Sequence, residues 1–252
     1  MSFEVSAEAY DRFMGRYSVQ LSPQLAALAE VRDGQRVLDV GCGPGALTGE
    51  LVRLVGADAV AAVDPSETFV AAAKERHPDV DVRRAPAEQL PFGDQAFDAS
   101  LAQLVVHFMA DPMAGLREMA RVTRSGGVVA ACVWDHVGGR TPLGAFWQAA
   151  LELDPGAQDE SHLAGAREGH LTELFTAAGL SSVQETIVTA SAQFVTFEEW
   201  WEPLTFGVGP AGAHVQRLTE PARDDLRARC RELLPDAPFT INTAAWTVRG
   251  LV

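Results

Sequence analysis

VLDVGCGPGALT, Val37 to Thr48, decides the fold, together with a second apolar run, DAVAAVD, that ends on Asp64, 19 residues past Gly45. Val37, Leu38 and Val40 have the make-up of a short buried strand. Gly41, Gly43 and Gly45 then form a tight turn whose backbone can approach a ligand closely, because no Cβ stands in the way. Ala46 to Leu54 (ALTGELVRL) follows at helical spacing. Strand, glycine turn, helix, strand and terminal acid make the nucleotide-binding half of a doubly wound α/β fold. The carboxylate of Asp64 is placed to grip the two hydroxyls of a ribose.

A glycine turn does not by itself choose its ligand. Read as a dinucleotide fingerprint, Gly41, Gly43 and Ala46 satisfy G-x-G-x-x-G/A, and the acid lies near the spacing of about 20 residues which that motif expects. Against NAD stands Asp39, a carboxylate at the strand end just before the turn. It repels a pyrophosphate and attracts a ligand carrying an ammonium and a sulfonium. S-adenosylmethionine (SAM) is such a ligand, and the segment resembles motif I of class I SAM-dependent methyltransferases.

The resemblance continues in order over about the first 135 residues. VDPSETFVAAAKER (Val63 to Arg76) is similar to the second strand's end, its ribose acid and the next helix. RRAPAEQLPFGDQAFDAS (Arg83 to Ser100) resembles the third strand, the adenine loop and the start of the fourth strand. QLVVHFMADPMAGLREMARVTRSGGVVAACVWD (Gln103 to Asp135) resembles the segment from the fourth strand's end into the fifth strand. AYDRFMGRYS (Ala9 to Ser18) and the C-terminal AAWTVRGLV are similar to the N-terminal signature and last strand of the UbiE-like branch of small-molecule methyltransferases.

That resemblance implies a Rossmann-like, doubly wound seven-stranded sheet with an antiparallel last strand and helical lid insertions, and SAM as cofactor. It implies a cofactor site built from Asp39, Gly41, Cys42, Gly43 and Gly45, from Asp64 and Pro65, and from Ala87, Glu88 and Gln103. Arg12, Arg16 and Tyr17 would close over it from the N-terminal segment, or else pack against the sheet. One departure matters. The adenine loop of the family commonly carries Asp-Ala, whereas this chain has Pro86-Ala87, so the acceptor for the adenine amino group must come from elsewhere, with Glu88 the nearest candidate.

Methyl transfer asks little chemistry of a protein, since the cofactor brings its own leaving group. The enzyme aligns the nucleophile behind the methyl carbon and excludes water. A general base helps only where the acceptor must lose a proton, and His107, after the fourth strand in QLVVHFM, is the candidate catalytic residue. Gln103, at that strand's end, is placed for the methionine half of SAM.

Ser22-Pro23 reads as a helix start, leading LSPQLAALAEV into the first strand. Strands are expected at about 36–40, 59–63, 80–84, 96–101 and 127–134, with helices between the first four and at 112–122. After Asp135 the rhythm breaks. An insertion at about 136–165 precedes a helix at 170–180 and a strand at 183–191. A second insertion, about 194–238, precedes a last strand at 243–251. The whole chain, 1–252, reads as a single domain, with both insertions and an N-terminal cap over 1–33 forming a lid over the cofactor face. Phe146, Trp147, Phe194, Phe197, Trp200, Trp201 and Phe206 make that lid aromatic, which points to an apolar pocket for a small organic acceptor.

Composition agrees. A chain of 252 residues buries a substantial core without staples. Its formal charge of −14 disfavours nucleic acid and anionic membranes as partners. Cys42, Cys132 and Cys230 lack metal-like spacing, and no zinc is expected from the histidines. With no apolar run of 18 residues, a soluble cytoplasmic protein is expected. The alternatives are an NAD-type oxidoreductase, disfavoured by Asp39 and by the seventh strand, and a non-catalytic SAM-binding regulatory protein.

Overall fold

The computed structural model describes residues 7–252. The chain begins with α1 (Ala7–Tyr10), a π turn over Asp11–Gly15 and α2 (Arg16–Leu28). The apolar runs then become the centre of one seven-stranded sheet, ordered β3-β2-β1-β4-β5-β7-β6. β1 (Val37–Val40) and β2 (Val60–Asp64) are buried at every residue, as strands covered on both faces must be. β3 (Asp81–Arg84), β4 (Phe97–Gln103) and β5 (Thr123–Trp134) continue the parallel set. β7 (Phe239–Leu251) runs antiparallel to both β5 and β6 (Ser181–Phe194), as the reading of the last strand requires.

Alternation along β1 assigns the two faces. Val37 joins a cluster with Leu21 and Leu25 of α2, Leu47 and Leu51 of α3 (Ala46–Val55) and Val70 of α4 (Glu67–Arg76). Leu38 and Val40 join Leu116 and Met119 of α5 (Pro112–Val122) and Phe175 of α7 (His170–Ala177) on the other face. α5 starts where Asp111 caps it, its side chain accepting from Ala114 N at 3.0 Å, with Pro112 at the first position. No helix among the described residues is long and apolar enough to cross a membrane.

The helix start expected at Ser22-Pro23 is corrected. Pro23 lies inside α2, which begins at Arg16. The proline withdraws one N–H from the Val19 carbonyl, and Val19 is exposed, so water reaches that turn. Tyr17, Leu21 and Leu25 form a fully buried stripe at four-residue spacing, and this packing outweighs the lost bond. The flank of α2 beside that stripe covers the edge of the sheet. Gln20 Nε2 donates to Ser191 O at 2.8 Å while its Oε1 accepts from Ser191 N at 3.1 Å, and Gln24 does the same with Thr189 at 2.8 and 3.2 Å. Two glutamines thus stand in for a neighbouring strand.

β6 is longer than expected at both ends and β7 at its start, the two pairing from Ser181↔Leu251 to Phe194↔Phe239. Their ends escape the periodicity because β6 is half exposed and polar along its length. The first insertion contains α6 (Gly144–Leu153). The second, between β6 and β7, contains α8 (Phe197–Trp201), a 3-10 turn at Glu202–Phe206, α9 (Gly209–Arg217) and α10 (Glu220–Leu233). Arg229 of α10 reaches Glu152 of α6 at 2.5 Å, joining the two insertions.

Candidate cofactor and acceptor site

The turn after β1 is hung from β2. Gly41 N and Cys42 N both donate to Val63 O, at 2.8 and 2.9 Å, and Gly43 N donates to Asp64 Oδ2 at 2.9 Å. Gly41 has φ +71°, and a Cβ there would stand 2.4 Å from Val105 Cγ2, so only glycine fits. Gly43, at φ +52°, has open space where a Cβ would project. That space is part of a cavity of about 740 Å³ at the C-terminal ends of the parallel strands, within the roughly 300–1,000 Å³ range of small-molecule sites.

Of the residues singled out in the sequence, Gly41, Gly43, Asp64, Pro65, Ala87, Glu88, Gln103 and His107 line this cavity together. Asp64 is 6% exposed, and burial pushes its carboxyl above the usual carboxylate range, opposed by the N–H groups of Ser66 (2.8 Å to Oδ1) and Gly43. Gln103 Nε2 donates to Ser18 O at 3.1 Å, leaving its buried Oε1 without a partner among the described residues. The next residue, Leu104, sits at φ +60° with its N–H on Cys132 O, a strained corner directly below the pocket. Glu88 lines the wall beside Pro86, and its Oε1 accepts from Asp111 N at 3.1 Å.

The other expected residues stand outside the cavity lining. Asp39 is buried behind the turn, accepting from Thr48 Oγ1 at 2.6 Å. Desolvation pushes its carboxyl up to about 7. Cys42 is buried in the core of the turn, and the Gly45 carbonyl is held by His77 Nε2 at 3.0 Å. Arg12 pairs with Glu202 at 2.6 Å and Arg16 with Glu199 at 3.1 Å, so these arginines fasten the second insertion to the N-terminal helices. Tyr17 is buried edge-on to Trp134, at 6.0 Å between ring centroids. Tyr10, Phe13 and Met14, just ahead of it, are the N-terminal residues that reach the cavity.

The aromatic lid residues are also corrected. None of Phe146, Trp147, Phe194, Phe197, Trp200, Trp201 and Phe206 lines the main cavity. They pack on one another and on the sheet, as in the Phe194–Phe239 stack at 5.5 Å and the Phe197–Trp201 stack at 6.2 Å. The insertions meet the cavity instead through His136, Leu143 and Glu160 and through Val208 to Ala211. His107 is 6% exposed, and burial holds its imidazole well below the ordinary histidine range. His136 lies 5.7 Å from it between ring centroids, with its own titration pushed down to about 4 by burial. Glu160 gave no signal in the sequence, because a single acid in the polar run DPGAQDESHLAGA reads as a solvated loop residue.

Residues 38–131, from β1 into β5, match the model of the methyltransferase domain family. The chain is 36% identical over 119 residues to a demethylmenaquinone methyltransferase of Paenarthrobacter aurescens, covering 47% of this chain and 44% of that one. It is 34% identical over 128 residues to a malonyl-[acyl-carrier protein] O-methyltransferase of Erwinia billingiae, with 51% and 50% covered. A UbiE ubiquinone/menaquinone C-methyltransferase of Bdellovibrio bacteriovorus is 36% identical over 110 residues, with 42% and 47% covered. The chain thus spans about half the length of the curated relatives it matches. The YcgJ protein of Bacillus subtilis shares the fold across 91% of this chain and 97% of its own, with a TM-score of 0.59 and 22% identity.

Residues 38–131 are thus similar to a methyltransferase domain, carried in a fold that YcgJ shares. The curated relatives similar to this part of the chain include demethylmenaquinone and UbiE-type methyltransferases. SAM, the cofactor that this similarity implies, fits the residues present. Gly43 leaves room for backbone approach, Asp64 faces the turn, and the unpartnered Gln103 Oε1 suits an ammonium donor.

Proposed function

We propose that this chain transfers the methyl group of SAM to a small, largely apolar organic acceptor. The observation that carries the reading is the charge of the cavity. Asp64, Glu67, Glu88 and Glu160 line it against a single arginine, Arg84, which is itself paired with Glu67 at 3.1 Å. A cofactor with an ammonium and a sulfonium gains from that field, whereas the pyrophosphate of NAD is repelled. The formal charge of −14 likewise disfavours nucleic acid as the acceptor.

SAM, when bound, supplies a methyl carbon on a good leaving group. The protein's part is placement. Asp64 would hold the ribose hydroxyls, Gln103 Oε1 would accept from the ammonium, and Ala87 and Glu88 would hold the adenine beside Pro86. Met14, Trp134 and Leu143 give apolar walls that exclude water. His107, neutral at physiological pH and with Nδ1 unpartnered among the described residues, takes the proton of an acceptor that must lose one. Residues 7–33 and the insertions at 136–165 and 194–238 act as the lid of one domain; the first six residues of the expected cap lie outside the described residues.

Calorimetric titration with SAM, S-adenosylhomocysteine and NADH tests this reading. Binding of both adenosyl compounds and none of NADH is expected. Binding of NADH alone overturns it. His107→Ala with full kcat across the pH range would remove that residue from the chemistry.

A further inference from the structure

The acceptor end of the cavity contains a buried carboxyl that the cofactor does not require. Glu160, in the first insertion, is 4% exposed, and Trp147 Nε1 donates to its Oε2 at 2.8 Å. The same cavity receives two imidazoles whose buried nitrogens, His107 Nδ1 and His136 Nε2, have no partner among the described residues. A carboxyl is an expensive partner for one indole N–H, since a neutral oxygen would satisfy it without burying an ionisable group. Desolvation acts on Glu160 as expected, pushing it up to about 7. A few polar groups placed in the wall of a cavity are the usual means by which a pocket orients a ligand.

We propose that Glu160, braced from behind by Trp147, is the group that recognises the methyl acceptor, selecting an apolar compound that bears a free hydroxyl. A hydroxyl donates a hydrogen bond that the Glu160 carboxyl accepts, which an ether of the same shape cannot supply. This inference rests on the methyl-transfer reading only in calling the ligand an acceptor. It makes Glu160 a specificity-determining residue.

The test uses 1-naphthol and 1-methoxynaphthalene as probes, titrated calorimetrically into the full chain with and without S-adenosylhomocysteine. The wild type is expected to prefer the naphthol by about tenfold or more, the scale of a hydrogen bond to a charged group. Glu160→Gln keeps an oxygen for the Trp147 indole and should reduce that preference to about threefold or less, with methoxynaphthalene binding unchanged. Glu160→Ala should do the same. A wild-type ratio retained in Glu160→Gln assigns the carboxyl to packing alone and overturns the proposal, as does a wild type that binds the probes equally or not at all. Failure of S-adenosylhomocysteine to bind the wild type would overturn the methyl-transfer reading instead, leaving the naphthol ratio to judge Glu160.

Discussion

The two walls of the cavity are built by different rules. The cofactor wall is made by consecutive strand ends: the β1 turn, the acid closing β2, the loop after β3 and Gln103 closing β4. Its polar side chains are set by hydrogen bonds to backbone groups, Asp64 by Gly43 N and Ser66 N, Glu88 by Asp111 N and Gln103 by Ser18 O. The acceptor wall is assembled from α1, the π turn and both insertions, and its groups are set by side-chain packing. A wall built from the sheet is written in short local patterns, whereas a wall built from insertions depends on distant contacts. The matched family segment, 38–131, ends in β5 and excludes both insertions.

If the aromatic insertions are scaffold, damage to them should cost stability and leave selectivity alone. Trp200 is 5% exposed, lies 5.7 Å from Phe197 between centroids and borders only a void of about 10 Å³. Trp200→Ala is therefore expected to destabilise the fold by about 3–5 kcal/mol, read by chemical denaturation, with relative turnover across an acceptor panel unchanged. A changed acceptor preference at undiminished stability would break the distinction between scaffold and pocket.

The cofactor wall should respond in the opposite way. Asp64→Asn presents an amide where Gly43 and Ser66 both donate, and it removes the charge proposed to hold the ribose. SAM affinity is expected to fall about 100-fold by calorimetry, some 2.7 kcal/mol, with a smaller loss of stability. Unchanged affinity would take Asp64 out of the cofactor site.

Behind the cofactor wall lies Asp39, whose carboxyl is pushed up to about 7, chiefly by burial. Unfolded, the same group titrates near 4, so from about pH 4 to 7 the folded chain binds more protons there and stability falls as pH rises. Asp39→Asn keeps an oxygen for Thr48 and removes that dependence. The variant should be more stable than the wild type by about 2–4 kcal/mol at pH 8, with the gain gone below pH 4. A gain that does not vary with pH would assign it to packing.

Legibility follows the same division. The parallel strands were readable because they are continuous apolar runs closed by glycine turns, and Asp64 because an acid at that spacing has one common use. Arg16 and Tyr17 were read as closing over the cofactor or packing against the sheet, and sequence could not choose because their partners, Glu199 and Trp134, lie far away in the chain. The lid tryptophans were readable as apolar and not as packed inward, since composition does not say which surface a side chain covers. Glu160 was invisible because its burial depends on α6 folding over it, through the single indole of Trp147.

The smallest expected effect probes what joins the walls. α2 packs its apolar stripe on the cofactor side of the sheet and binds the edge of β6 with Gln20 and Gln24, while β6 leads directly into the second insertion. Gln20→Ala removes two hydrogen bonds at Ser191 in a partly solvated setting, where water replaces most of their value. A loss of about 1 kcal/mol is expected by denaturation. The exposed edge should also show faster amide hydrogen exchange at Ser191 than at Thr189, where Gln24 still covers the strand. Equal protection at the two sites would mean that the edge is held by the β6–β7 pairing alone, and that α2 belongs to the cofactor wall without supporting the insertion.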